Sequence, residues 1–166
     1  MCILALGFGF GCSSRIPRDA LAMTRPTLEV RQQSTRRFET ADEQVVLAAS
    51  AGLLQDLGFN IDESETDLGL IVASKDRSAV QGGQVAGKVF MLILFRANVP
   101  IDKNQRFRAS IVTKPVGQDI VVRVTFQRVV WNDRGQITHL ERLDEPGAYQ
   151  EFFDKLSKSI FLQAHE

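Results

Sequence analysis

Gly82, Gly87 and Lys88 stand at the spacing of a phosphate-cradling loop, G-x-x-x-x-G-K, in which backbone amides and the lysine hold phosphate oxygens. Val89, however, occupies the place of the Ser or Thr that would hold Mg²⁺. That loop also follows a buried strand of a parallel sheet, whereas residues 76–81 are polar and the flanking strands read as antiparallel. We therefore expect no nucleotide site here. His139 and His165 are the only histidines, and neither has a second ligand at helical i, i+4 spacing. Cys2 and Cys12 both precede the body of the chain, so the body can form neither an internal disulfide nor a thiolate metal site. A Ser-His-Asp triad would have to draw on His139, and no serine sits in a nucleophile-elbow sequence. Glu63, Glu65 and Asp67 alternate along a hairpin; paired carboxylates can do acid–base work, but at a hairpin tip they read as a solvated face. The expectation is no catalytic residue, no metal and no cofactor.

Bulk properties agree with a binding or structural role. The 166 residues suit a single domain, and the 44% hydrophobic fraction with eleven Phe can fill a core. Twenty basic and twenty acidic residues cancel, so there is no global attraction to nucleic acid, and none is expected as a partner. Charge is mixed along the chain and apolar content is ordinary, which excludes disorder as a description of the body.

The N-terminal segment is different. Residues 3–11, ILALGFGFG, are apolar and uncharged, and Cys12-Ser13-Ser14 follows. This resembles the end of a bacterial lipoprotein signal, in which a cysteine after a small residue is lipidated and becomes the new N-terminus. Gly11 fills the small position, while Gly9 and Phe10 depart from the usual pattern. The basic n-region of an export signal is missing, so the true start is expected upstream. The apolar stretch is too short to span a membrane as a helix, which takes about 20 residues. We read 1–12 as the signal with Cys12 as the lipidation site, 13–26 as a flexible tether rich in Arg and Pro, and 27–166 as one domain.

The elements that would position any surface follow from periodicity. Residues 27–39 have strand-like content around Leu28, Val30 and Phe38. Thr40-Ala41-Asp42-Glu43 reads as a capping box opening a helix to Leu57, with Val46, Ala49, Leu53 and Leu57 as its apolar stripe and Gly58 as its stop. Residues 59–65 and 70–74 read as strands joined through Thr66-Asp67-Leu68-Gly69. In 105–113, Phe107, Ala109 and Ile111 alternate with Arg106, Arg108 and Ser110; in 120–131, Ile120, Val122, Val124 and Phe126 do the same. The phase changes at Gln127-Arg128, where a bulge is expected. Asn132 to Gly135 read as a hairpin turn into 137–143. A last helix over 146–163 presents Tyr149, Phe152, Phe153, Leu156 and Ile160 on one face, widened by Phe161. The resulting fold class is α+β: an antiparallel sheet of five to six strands with two main helices on one face, a helix-grip-like arrangement.

Two surfaces are candidates for contact. Residues 89–95, VFMLILF, lie between Lys88 and Arg96. They read first as a core strand or helix, and alternatively as a protruding segment that meets membrane or partner through Lys88, Val89, Phe90, Leu92, Leu94 and Arg96. Arg106, Arg108 and Arg123 share the polar face of the sheet; they read first as a solvated face, and alternatively as a basic patch for acidic partners or anionic headgroups.

Three segments carry a family resemblance: LLQDLGFNIDESETDLGLIVASKDR (53–77), PIDKNQRFRASIVTKP (100–115) and YQEFFDKLSKSIFL (149–162). Through them the chain resembles a family of uncharacterised bacterial outer-membrane lipoproteins and, more distantly, the helix-grip domains of the barrel-assembly lipoprotein. The resemblance implies an outer-membrane location on the periplasmic face, a membrane held through the N-terminal lipid, another envelope protein as partner, and no reaction. The second reading is a carrier of a small apolar or lipid ligand between the sheet and the C-terminal helix.

Overall fold

Strict alternation of apolar and polar residues builds the centre of the fold. The computed structural model describes residues 25–76, 90, 93 and 105–163. In chain order the described elements are α1 (Arg25–Gln33), β1 (Thr35–Phe38), α2 (Glu43–Asp56), β2 (Asn60–Glu65), β3 (Leu70–Asp76), β4 (Gln105–Val116), β5 (Asp119–Trp131), β6 (Ile137–Arg142) and α3 (Pro146–Gln163). A 3₁₀ turn, Thr66–Leu68, joins β2 to β3. The six strands form one antiparallel sheet in the order β1-β5-β4-β3-β2, with β6 also on β5. β4 covers one edge of β5 from Asp119 to Val130, so β1 and β6 share the other edge end to end. The protein is α+β, with two main helices on one face of this sheet.

The covered face is assembled from the expected alternation. Phe107, Ala109 and Ile111 of β4 and Ile120, Val122, Val124 and Phe126 of β5 are all buried. α2 adds Val46, Ala49, Leu53 and Leu54, and α3 adds Tyr149, Phe152, Phe153, Leu156 and Ile160. Phe126 is the hub: its ring lies 5.5 Å from Tyr149 and 5.7 Å from Phe152. Each such side chain contributes about 1.5–3 kcal/mol on burial, so α3 is indispensable to the core. Phe161 does not widen the stripe; it is 63% exposed, because it sits one residue past Ile160 and rotates off the buried face.

Three local expectations are corrected. Residues 27–33 are not strand but the body of α1, where Glu29, Arg31, Gln32 and Gln33 are good helix formers; only TRRF remains as strand. The cap of α2 is Asp42, whose Oδ1 accepts from Val45 N at 3.1 Å, while Thr40 Oγ1 accepts from Asp42 N at 3.3 Å. Glu43 does not reach back to Thr40; its Oε1 accepts from Thr113 Oγ1 of β4 at 2.5 Å, tying the helix start to the sheet. Gly69, at φ 62°, lies directly beneath this contact, and a Cβ there would run into Thr113 Oγ1. Finally, β5 keeps its register with β4 through Gln127 and Arg128, and the register shift falls instead between Val130 and Trp131 against β6. The alternation therefore continues, and it carries Arg128 onto the covered face.

Candidate functional site

Among the described elements α2 and α3 both pack on the first face of the sheet, and the end of α1 reaches the second only beside Arg123; Val129 and Ser74 of that second face are nonetheless buried. Strand parity places Arg106, Arg108, Ser110 and Val112 of β4 on it, with Arg123, Thr125, Gln127, Val129 and Trp131 of β5. β6 adds Leu140, opposite Val129, and Ile137, opposite Trp131. Leu140 and Ile137 are each 61% exposed, and Val112 is also exposed.

The three expected arginines share this face but do not form one patch. Arg106 is bound by Asp76, with Nε 2.6 Å and Nη2 3.3 Å from its carboxylate oxygens, and its Cζ lies 5.8 Å from the Trp131 ring centre. The Asp76 hydrogen bond raises the Arg106 pKa, so this guanidinium is a neutralised pair that also shields an indole. Arg108 faces Ser74 on one side and Gln127 on the other, is exposed, and has no carboxylate on it among the described residues. Arg123 pairs across to Val112 and Thr35, about 13 Å along the strands from Arg108 at 3.3 Å per residue. Its Nε donates to Thr35 Oγ1 at 3.3 Å. Burial is the largest cause lowering its pKa, followed by the charges of Arg31 and Arg142. Ser110 and Thr125, opposite each other, separate the Arg106–Arg108 pair from the Arg123 cluster.

At the Trp131 end, then, the open face combines an aromatic ring, two exposed aliphatic side chains, an arginine paired with Asp76 and an exposed arginine with no carboxylate on it among the described residues. This composition is that of an interface centre with a polar margin. Glu63, Glu65 and Asp67 are exposed at the β2–β3 hairpin.

The other sequence candidates resolve differently. Cys12, the Gly82–Lys88 loop, Val89, Leu92, Leu94, Arg96 and His165 lie outside the described residues. Phe90 belongs to the core: it is fully buried, with its ring edge-on to Phe126 at 5.3 Å, so it offers nothing to a contact surface. Ile93 is half-buried against the same core. His139 is exposed and 3.7 Å from Glu141. The space between sheet and α3 holds Phe38, Phe126, Phe152 and Phe153, with ring centres 5.6–6.4 Å apart along the stack. These rings fill that part of the core against one another. A surface groove of about 240 Å³ lies between α2 and α3, lined by Leu53, Leu57, Lys155 and Leu162.

The sequence reading missed two buried cations at one end of the covered face. Lys75, Phe107, Arg128 and Glu141 form a row across β3, β4, β5 and β6. Arg128 is 2% exposed; its Nε donates to Gln105 Oε1 at 2.8 Å and its Nη1 to Glu141 Oε2 at 3.2 Å. Lys75, 1% exposed, donates from Nζ to the Leu57 carbonyl at 2.8 Å, and burial pushes its pKa down. A cation at the C-terminal end of α2 complements the helix dipole. Gly58, at φ 82°, leaves the room: a Cβ there would lie 2.7 Å from Lys75 Nζ. These two side chains are fastened within the fold, which reads as architecture. Unbroken alternation through Arg128 was the signal for one of them.

No protein-family model and no curated protein matches the chain.

Proposed function

We propose that the protein is a non-catalytic lipoprotein of the bacterial envelope, held by a lipid on Cys12 at the periplasmic side of the outer membrane. Its task is to bind another envelope protein through the Trp131 end of the open sheet face. The observation that carries this reading is the asymmetry of the sheet. One face is sealed by α2 and α3, while Trp131, Ile137, Leu140 and Arg108 gather on the other with no described helix over them. Exposed aliphatic groups beside an aromatic and an arginine gain free energy when a partner covers them. The leader 3–11 before Cys12 supports the location.

The test has two parts. Mass spectrometry of the membrane-extracted protein should show an acylated N-terminal Cys12, and Cys12→Ser should move the protein from membrane to soluble fraction. A photo-cross-linking residue at Leu140 should trap an envelope protein in cells, whereas the same residue at Phe161, on the helix side, should not. A free Cys12 thiol overturns the anchor. Equal cross-linking from both positions overturns the binding face.

A further inference from the structure

Three described strands lie at the edges of the sheet, and they differ in how they guard their free backbone groups. β2 carries Asp62, Glu63 and Glu65, and its register with β3 shifts between Ile61 and Glu63. Acidic side chains and a bulge keep such an edge from pairing with a copy of itself. β1 is only four residues long, and its Arg36 and Arg37 are held by Asp154 and Asp119. β6 is different. Its register shift lies at its start, and from His139 to Arg142 it pairs regularly with β5. Thr138, His139, Leu140 and Arg142 are exposed, and Glu141 is half-buried.

One bond fixes which backbone groups of β6 face outward. Leu143 N donates to Phe126 O at 2.9 Å, so by alternation the amides and carbonyls of Glu141 and His139 also point at β5. Those of Leu140 and Arg142 point away from the sheet. A second β6 laid antiparallel along this edge is related to the first by a two-fold axis. Outward groups must meet outward groups, so the axis passes through a residue and not between two. With the axis at Leu140, the two Leu140 side chains face each other, and His139 of each copy faces Glu141 of the other. An axis at Glu141 would oppose two carboxylates, and one at His139 would set Glu141 against Ile137. Glu141 accepts from Arg128 Nη1 at 3.2 Å, and a carboxylate has further acceptor sites. His139 Nε2 of the same chain, at 3.7 Å, is too far away to bond it.

We propose that the protein forms a symmetric dimer through β6, two copies meeting edge to edge about Leu140 and joining their six-stranded sheets into one. Leu140, 61% exposed in the single chain, is covered by its counterpart, and the outward amides and carbonyls gain partners. Bonds in the plane of the sheet leave Trp131 and Arg108 on the open face, which the dimer presents twice. The inference depends neither on acylation of Cys12 nor on another envelope protein.

The experiment uses the full chain as Cys2→Ser/Cys12→Ser, which has no thiol and no acyl chain. Sedimentation equilibrium should show monomers in exchange with dimers. His139→Glu sets like charges opposite each other twice and should weaken the dimer about tenfold, whereas His139→Lys should not weaken it. Circular dichroism should be unchanged in both. Adding Leu140→Cys should give a disulfide-linked dimer on mild oxidation, because directly opposed residues of a hydrogen-bonded pair lie about 5.5 Å apart at Cα. Thr138→Cys, offset from its counterpart by about 13 Å along the strands, should not link, and neither should Glu63→Cys on β2. A single-chain mass at every concentration overturns the proposal. Linkage through Thr138→Cys or Glu63→Cys as fast as through Leu140→Cys, or a dimer untouched by His139→Glu, overturns the Leu140 axis.

Discussion

Arg123 and Arg128 lie on the same strand with similar neighbours in sequence, yet strand parity sends them to opposite faces of the sheet. On the covered face Arg128 is stripped of water and is held by Gln105 and Glu141. On the open face Arg123 keeps part of its hydration, touches a hydroxyl, and stands among like charges. A charge on the sealed side must be satisfied by the protein itself, because losing its solvation costs more than an unpaired contact can return. A charge on the wet side is left to meet whatever arrives. The same residue type is therefore part of the architecture at one position and a candidate contact at the other.

Breaking the sealed side should have the largest effect. Phe126→Ala removes the ring shared by Phe90, Tyr149 and Phe152 and should cost about 3–5 kcal/mol, read from denaturant melts. The paired substitutions Arg128→Ala and Arg123→Ala put the comparison itself to the test. The first orphans Gln105 inside the fold and should cost about 1–3 kcal/mol; the second should stay within about 0.5 kcal/mol. Equal losses would mean that the two faces are not energetically distinct. Thr113→Val removes the hydrogen bond that anchors the start of α2 and should cost about 1 kcal/mol, with amide exchange rising first in that helix turn.

The smallest effect concerns pH. The Arg36 hydrogen bond, followed by that from Gln150, holds the Asp154 pKa below the ordinary 3.8. A carboxylate whose folded pKa is depressed contributes stability above its unfolded pKa and loses it as pH falls through the folded value. Wild type should therefore lose slightly more stability than Asp154→Asn between pH 5 and about pH 2, as measured by thermal midpoints. Because this pair is exposed, screening by salt should shrink the difference further.

How much of this was legible in advance follows the range of the interactions. α3 was readable from Tyr149 to Ile160, because an amphipathic stripe is a local pattern repeated over many residues. The β4 and β5 alternation was readable for the same reason, and so was the Asn132–Gly135 turn, where Asn132 Oδ1 accepts from the amides of Arg134 and Gln136. α1 was misread because Leu28 and Val30 weigh toward strand, while the helix formers between and after them prevail. Arg128 was misread because a charged residue at a core position looks like a slip of phase; only Gln105 and Glu141, brought in by neighbouring strands, make the position tolerable. Glu43 was assigned to a local cap for want of any sign of Thr113, which is far along the chain and adjacent only in the fold.

The sequence by itself determined the apolar face of α2, α3 and the two central strands, and hence the α+β class, since burial of apolar periodicity is a local instruction. It also placed Cys12 after an apolar stretch and left the body without thiols. Only the tertiary structure decided which face of the sheet is sealed, where Arg106 finds Asp76, and how Arg123 and Arg142 come to rest on the hydroxyls of Thr35 and Ser34. Those are contacts between distant segments, and charge, unlike hydrophobic periodicity, carries no local signal of the partner it will find.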